Sequence, residues 1–317
     1  MTYRQITSEQ RYMLAVLRMQ GLRFSQIARH LGCHRSTIGR ELKRNCSVSD
    51  RSYRPSKAQE MASGRRSRSR RNRQFSALDF ERVNDLLRQR WSPEQIAGRL
   101  RLQPTLSISH ETIYRHVWRD KKAGGSLYTH LRCAQKRRRK GYGHYDSRGR
   151  LAGKRHISER PPSVEGRREL GHWEIDTVMG TGSKDCILSL VERKTGLVII
   201  GKLPSRTTEA LNARTIKIIN THSGPFTTIT ADNGTEFHNY AAIEKCTPAT
   251  FYFATPYHSW QRGTNENTNG LIRQYLPRGT SMTKLTQQQC SKIAHQLNTR
   301  PRKRLAYQTP LECFNES

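Results

Sequence analysis

The pattern of apolar and polar positions changes near residue 170. Upstream of it, apolar residues recur at helical spacing. Ile27, Ala28 and Leu31 fall on one face of residues 25–32, and Gly32 offers the left-handed backbone that ends a helix. Residues 35–42 read as a second helix, with Ile38 and Leu42 packed inward and Ser36 or Thr37 available as its cap. This is a helix-turn-helix pattern. It leaves Arg35, Ser36, Thr37, Arg40 and Lys43 facing outward. A recognition helix reads base edges mainly through its N-terminal residues. The pattern then returns in disguise. Glu94-Gln95-Ile96-Ala97-Gly98-Arg99-Leu100 resembles Ser25-Gln26-Ile27-Ala28-Arg29-His30-Leu31, with Pro93 in the first turn behind a Ser92 cap. A longer turn, 101–109, leads to His110-Glu111-Thr112-Ile113-Tyr114-Arg115-His116-Val117. The reading positions of this copy are Ser109, His110, Thr112 and Arg115. Helix pairs with longer turns also make protein contacts, so both uses stay open for the second copy.

Downstream of Gly171 the pattern becomes strand-like. His172-Trp173-Glu174-Ile175-Asp176, residues 184–191 and residues 197–203 read as strands, the last two joined by the turn Arg193-Lys194-Thr195-Gly196. Residues 207–220 have helical spacing, 227–231 are β-branched, 236–244 read as a short helix, and 251–254 as another strand. Helices start at Thr264 and Thr286. Three strands, a helix, a strand, a helix, a strand and closing helices predict a ribonuclease H-like α/β fold. The expected fold class is therefore multidomain, with N-terminal all-α helix-turn-helix units followed by an α/β ribonuclease H-like catalytic domain. The expected boundaries are 1–50 for the first helix-turn-helix, 51–75 for a basic linker, and 76–120 for the second unit. A second basic linker takes 121–165, and the catalytic domain with its C-terminal helices takes 166–317.

Charge names the partner. Lys and Arg number 57 against 25 Asp and Glu, a formal charge of +32. Residues 1–170 hold 40 basic and 14 acidic residues, net +26, and residues 171–317 hold 17 and 11, net +6. That balance points to nucleic acid, gripped mainly by the first half. The runs 65–73 and 136–140 repel themselves and read as linkers that neutralise phosphate. Seven scattered Cys with no Cys-x-x-Cys pair speak against a disulfide framework and for a reducing cytosol. A zinc site from His30, Cys33, His34 and Cys46 is conceivable, but these residues fall inside the helix-turn-helix pattern. No stretch approaches a membrane span, and the N-terminus has no apolar signal core. The chain is expected to be soluble and intracellular.

Three acidic residues carry the candidate chemistry: Asp176, Asp232 and Glu266. Each has an ordinary reading. Asp232-Asn233-Gly234 is a good turn by itself, and Glu266 suits a helix N-terminus. Glu174, two residues before Asp176, projects to the same strand face and is a rival ligand. The combination is more specific than its parts. Two strands and a helix can bring three carboxylates together around two divalent cations, the arrangement that activates an attacking oxygen and stabilises a leaving one at phosphorus. Glu266, Asn269, Gly270 and Arg273 share one helical face, which adds a phosphate-binding Arg two turns beyond the Glu.

The segments Gly171-His172-Trp173-Glu174-Ile175-Asp176, Asp232-Asn233-Gly234-Thr235-Glu236-Phe237 and Ser259-Trp260-Gln261-Arg262-Gly263-Thr264-Asn265-Glu266-Asn267-Thr268-Asn269-Gly270 resemble those of bacterial insertion-sequence transposases of the insertion sequence thirty family. That family lies within the Asp-Asp-Glu transposase and retroviral integrase class. The likeness extends over nearly the whole chain, including the tail Asn298-Thr299-Arg300-Pro301-Arg302-Lys303. Separations of 55 and 33 residues between the three acids fit it too. Ile175 stands where the family usually carries Gly, a packing change on the opposite strand face. The resemblance implies an integrase catalytic core in which Asp176, Asp232 and Glu266 are catalytic metal ligands. Two Mg²⁺ ions are expected, with Mn²⁺ able to substitute. Arg262 and Arg273 are expected to contact DNA. It also implies binding to double-stranded DNA, both terminal inverted repeats and target, and a homodimer or higher homo-oligomer on that DNA. The reaction is strand cleavage and strand transfer with no covalent enzyme–DNA intermediate. The rival readings are a DNA-binding regulator with a degenerate catalytic domain, and a nuclease that cuts without joining.

Overall fold

In the computed structural model the described residues are 5–47, 52–71, 75–103, 106–132, 153–182, 184–256 and 258–316. They form two compact units, Met1–Ala77 and Leu78–Ser317.

The first unit is all helical: α1 (Ser8–Met19), α2 (Phe24–His30), α3 (Arg35–Asn45) and α4 (Pro55–Arg71). Its core is Leu14, Ile27, Leu31, Ile38 and Leu42, the inward positions of the sequence pattern plus a contribution from α1. Gly32 sits at φ +63°, where a side chain would be strained. The cap of α3 is neither Ser36 nor Thr37. It is His34, whose Nδ1 accepts the Ser36 backbone N–H at 3.3 Å. The expected linker 51–75 is also corrected, because most of it is helix α4. Arg11 explains why α4 belongs to this unit. Its buried guanidinium pairs with Glu41 at 2.7 Å and reaches Gln59 on α4 at the same distance, while Tyr53 donates to Glu41. Within the basic run, Arg65 and Arg66 find Asn45 and Gln5 as acceptors. Arg73 lies outside the described residues.

The second unit begins with α5 (Ala77–Arg88), α6 (Pro93–Leu102) and α7 (His110–Lys122). Ser92 caps α6 through Gln95, with Pro93 in the first turn, as the sequence pattern requires. Then comes one mixed sheet of β1 (His172–Met179), β2 (Cys186–Glu192), β3 (Val198–Leu203), β4 (Thr228–Ala231) and β5 (Thr250–Phe253). The strand order is β3-β2-β1-β4-β5. The first three strands are antiparallel, and β4 and β5 run parallel to β1. The crossover after β3 is α8 (Thr208–Thr221), and α9 (Tyr240–Cys246) connects β4 to β5. The chain closes with α10 (Gly263–Ile272), α11 (Gln287–Asn298) and α12 (Pro310–Asn315). This is the ribonuclease H-like arrangement.

Alternation along β1 sorts its side chains between two cores. Trp173 and Ile175 enter the core that includes Leu211, Ile219 and Phe237. Val178 enters the core shared with Leu271, Ile272 and Leu297 on the α10 and α11 side. Glu174 and Asp176 share the Val178 face, so both project toward α10. The expected linker 121–165 is only partly a linker. Residues 133–152, with the basic run 136–140, lie outside the described residues. Residue His156 already bridges to Phe253, and Arg160 donates to Thr230 at 2.9 Å.

Candidate active site

Asp176 stands in mid-strand on β1, and Asp232 directly follows the adjacent parallel strand β4. Parallel pairing of these two central strands is what brings two distant acids to one sheet end. Asp232 Oδ1 accepts the Gly234 N–H at 2.9 Å, so the turn it belongs to also aims it. The Oδ2 atoms of both acids face one guanidinium. Arg262 lies 3.3 Å from Asp232 Oδ2 and 3.8 Å from Asp176 Oδ2, and donates to the Ile175 carbonyl at 3.0 Å. Asn269 on α10 donates to Asp176 Oδ2 at 2.8 Å. Burial raises the Asp176 carboxyl to about 6; Arg262 opposes the rise, and Asp232 adds to it.

Glu266 is exposed on the first turn of α10. With Asp176, Arg262, Asn269 and Arg273 it lines a cleft of about 750 Å³. Asp232 lies beside that cleft, not in its lining. Among the described residues no three His, Cys, Asp or Glu side chains are gathered closely enough to grip one ion. Even so, the donor chemistry suits a hard divalent cation. Two carboxylates already share one cation, the Arg262 guanidinium. Nearby Glu236 is buried, with Oε1 taken by Thr177 and Arg206 at 2.8 and 2.7 Å and Oε2 without a partner.

The rival acid has other partners. Glu174 is fully buried. One of its oxygens holds Arg193 at 2.5 Å, and the other accepts the Asn265 backbone N–H at 2.8 Å, one residue before Glu266. It anchors the start of α10 and is spent on that task.

Residues 2–45 match a family described as a helix-turn-helix domain. The chain is 41% identical over 98% of its length, and 95% of the relative's, to a transposase for insertion sequence element IS4351 of Bacteroides fragilis. It is 35% identical to a transposase for IS1086 of Cupriavidus metallidurans, covering 98% of this chain and 94% of that one. Against transposase InsI for IS30A of Escherichia coli it is 39% identical, over 90% of this chain and 77% of the relative. The chain belongs to the IS30 family of insertion-sequence transposases. Among solved structures, the catalytic core domain of BIV integrase is similar to 46% of the chain and 94% of its own length, with 21% identity and a TM-score of 0.36.

The remaining sequence-derived positions of this IS30-family chain are distributed as follows. Arg35, Arg40 and Lys43 are exposed on α3, Ser36 and Thr37 are half-buried, and Arg40 donates to Ser36 at 2.8 Å. On α7, His110 and Arg115 are exposed, and Thr112 bonds to the Ser109 cap. Arg262 faces carboxylates, where a DNA contact was expected. Arg273 lines the cleft and donates to the Met179 carbonyl at 2.9 Å. Sequence reasoning missed Glu236, although it lies in the quoted Asp232 motif. It also missed Arg132 and Arg278, which line the same cleft but carry no local pattern. Among the described residues no helix is long and apolar enough to cross a membrane.

Proposed function

We propose that this chain binds the terminal inverted repeats of its insertion sequence and cuts and joins DNA there, with Asp176, Asp232 and Glu266 as catalytic metal ligands. One observation carries the reading. Acids on and just past two neighbouring parallel strands share one cation beside a cleft lined by both Asp176 and Glu266. Two Mg²⁺ ions, or Mn²⁺ in their place, would supply an activated attacking oxygen and a stabilised leaving oxygen at phosphorus. The protein's own part is positional. The Asp232 turn and the Asn269 amide aim the two aspartates. Glu174 holds the first turn of α10, and with it Glu266. Arg262 is the cation that the two aspartates share in this structure, a role a bound divalent ion would take over. Arg273 then faces phosphate in the cleft.

The first unit, with Arg35, Ser36, Thr37, Arg40 and Lys43 outward on α3, reads the repeat. His110, Thr112 and Arg115 on α7 offer a second DNA contact. Target DNA is the other duplex partner, and the place of action is the bacterial cytoplasm, at the nucleoid. One chain carries a single Asp-Asp-Glu set and an element has two ends, so the working species is a homodimer or larger on DNA.

The test is a strand-transfer assay on a plasmid carrying the repeats. Asp232→Asn should abolish cleavage and leave repeat binding intact, because Asn keeps the shape and loses the charge. Cleavage within about tenfold of the parent, a barrier change of only about 1.4 kcal/mol, would sink the assignment. Mixing a binding-dead chain with an Asp176→Asn chain tests the oligomer, since restored cleavage requires action in trans.

A further inference from the structure

A second cleft, of about 470 Å³, lies between α6 and the segment that follows α11. Arg132, Arg167, Arg300, Arg302, Lys303 and Arg304 all line it. The partners of these cations are mostly neutral. Arg300 is buried and donates to the side-chain oxygens of Gln95 and Gln274 at 2.8 and 2.7 Å. Arg302 donates to the Leu297 carbonyl at 3.0 Å, Arg304 to the Lys194 carbonyl at 2.7 Å, and Arg132 to the Asn267 amide oxygen at 3.4 Å. Lys303 alone has a carboxylate, Glu94 at 2.6 Å, the one acid in the lining. Behind the cleft, Glu192 is bonded to Thr195 and Glu174 to Arg193.

Arg300 is buried and Arg302 half-buried, while Arg132, Arg167, Lys303 and Arg304 are exposed at the mouth, and cations withdrawn from water without counter-charge repel one another and are costly. Burial first, and neighbouring Arg residues next, bring Arg302 down to about 9 and Arg300 to about 10. Arg167 also holds a left-handed backbone at φ +50°, uncommon for a residue with a side chain. Such a cluster is complete only when an anion enters it. Its guanidiniums are suited to phosphate oxygens, which they can grip bidentately. The cleft is also continuous with the candidate active site, because Arg132, Gly263 and Asn267 line both.

We infer that this second cleft binds the sugar–phosphate backbone of duplex DNA beside the reacting phosphodiester, delivering the strand to the carboxylates. The inference rests on the proposed DNA-cutting role of the neighbouring site. It adds a binding surface outside the outward faces of α3 and α7, with one wall lent by α6.

The test measures binding of the full chain to a labelled duplex of random sequence across a salt series. The variant is Arg132→Gln/Arg167→Gln/Arg304→Gln. The control, Lys217→Gln/Lys245→Gln/Lys292→Gln, removes the same charge from exposed positions away from the cleft. Three lost phosphate contacts should lower the slope of log affinity against log salt by roughly two to three, since each is worth about 0.9. The control should lower it by less than about one. Equal losses in the two variants, or an unchanged slope in the first, overturn the inference. If the triple variant melts early, Arg167→Gln/Arg304→Gln, both at exposed residues, should still lower the slope by about two. Asp232→Asn in the same assay separates the two proposals. If it cleaves normally the catalytic reading fails, and the slope comparison still decides the cleft.

Discussion

The two helix-turn-helix copies begin from nearly the same heptapeptide and end in different surroundings. In the first, Arg29 and His30 of α2 are exposed, and the copy packs on α1 and α4 of its own unit. In the second, the matching positions are Gly98 and Arg99, and both touch the C-terminal segment of the catalytic unit. A Cβ on Gly98 would clash with the Tyr307 ring carbons. Arg99 pairs with Glu312 at 2.5 Å, and Gln95, which matches Gln26, accepts from Arg300. Arg90 adds a contact over the Tyr275 ring, 4.4 Å from its centroid. The same local pattern therefore builds a helical unit packed on its own neighbours in one place and a docked module in another. What separates them is the residue one turn outside the shared core: a long cation where the helix faces water, and no side chain where it meets an aromatic ring.

Four experiments can break or sharpen this contrast. The largest effect concerns the extent of the first copy. A fragment of residues 1–77 should melt cooperatively, whereas one ending at residue 50 loses Tyr53, Ala58 and Gln59 and leaves the buried Arg11–Glu41 pair uncovered. Losing Ala58 and the Tyr53 packing from the core, and the Gln59 acceptor from Arg11, takes away a large fraction of the few kcal/mol that hold a small domain together. Equal thermal melts for the two fragments would refute the assignment of α4 to this unit.

Next comes Gly98→Ala, which should destabilise the second unit by about 1–3 kcal/mol through overpacking against Tyr307. Arg29→Ala at the matching position should stay within about 0.5 kcal/mol. Urea titrations of both variants decide the point, and equal small losses would mean that α6 is not docked.

Third, Arg40→Ala should cost about 1–3 kcal/mol of discrimination between the terminal repeat and scrambled DNA if Arg40 reads a base edge. Competition binding gives the ratio, with Arg115→Ala as the matched probe of α7. Loss of discrimination in Arg115→Ala alone would reverse the roles given to the two copies.

The smallest effect is a pH dependence. Hydrogen bonding from Arg99 holds the Glu312 carboxyl below its ordinary value. A lowered folded-state value stabilises at neutral pH, and that contribution is lost as pH falls below about 4.5 through the lowered value. Glu312 is over a third exposed, so water screens the pair and the loss should be well under about 1 kcal/mol. Faster amide exchange in α6 on acidification, absent in Arg99→Ala, is the expected signature.

Much of this was legible in residue order, for identifiable reasons. Inward positions such as Ile38 and Leu42, and the strand and helix order after Gly171, follow from side-chain period, which is a local property. The Asp232 turn could be read from Asp-Asn-Gly alone. The fates of Glu174 and Asp176 could not, because two acids on one strand face look alike until their partners are known. Arg193, 19 residues downstream of Glu174, and the Asn265 N–H, 91 residues away, claim Glu174 and leave Asp176 to the cleft. Arg262 was expected to contact DNA from the family resemblance, and which groups it faces within the chain, two aspartates, came only with packing.

By itself the sequence determined the paired helices of the two helix-turn-helix copies, the strand and helix order after Gly171, the nucleic-acid partner implied by +32 of charge, and the three acids that resemble a family motif. These depend on covalent neighbours and on composition. Tertiary structure alone decided that α4 belongs to the first unit, that the second helix-turn-helix is docked, which acid is spent on structure, and that six cations line one cleft. Each of these depends on what lies opposite a side chain. Residues far apart in the chain supply that environment, and their meeting leaves no trace in local sequence.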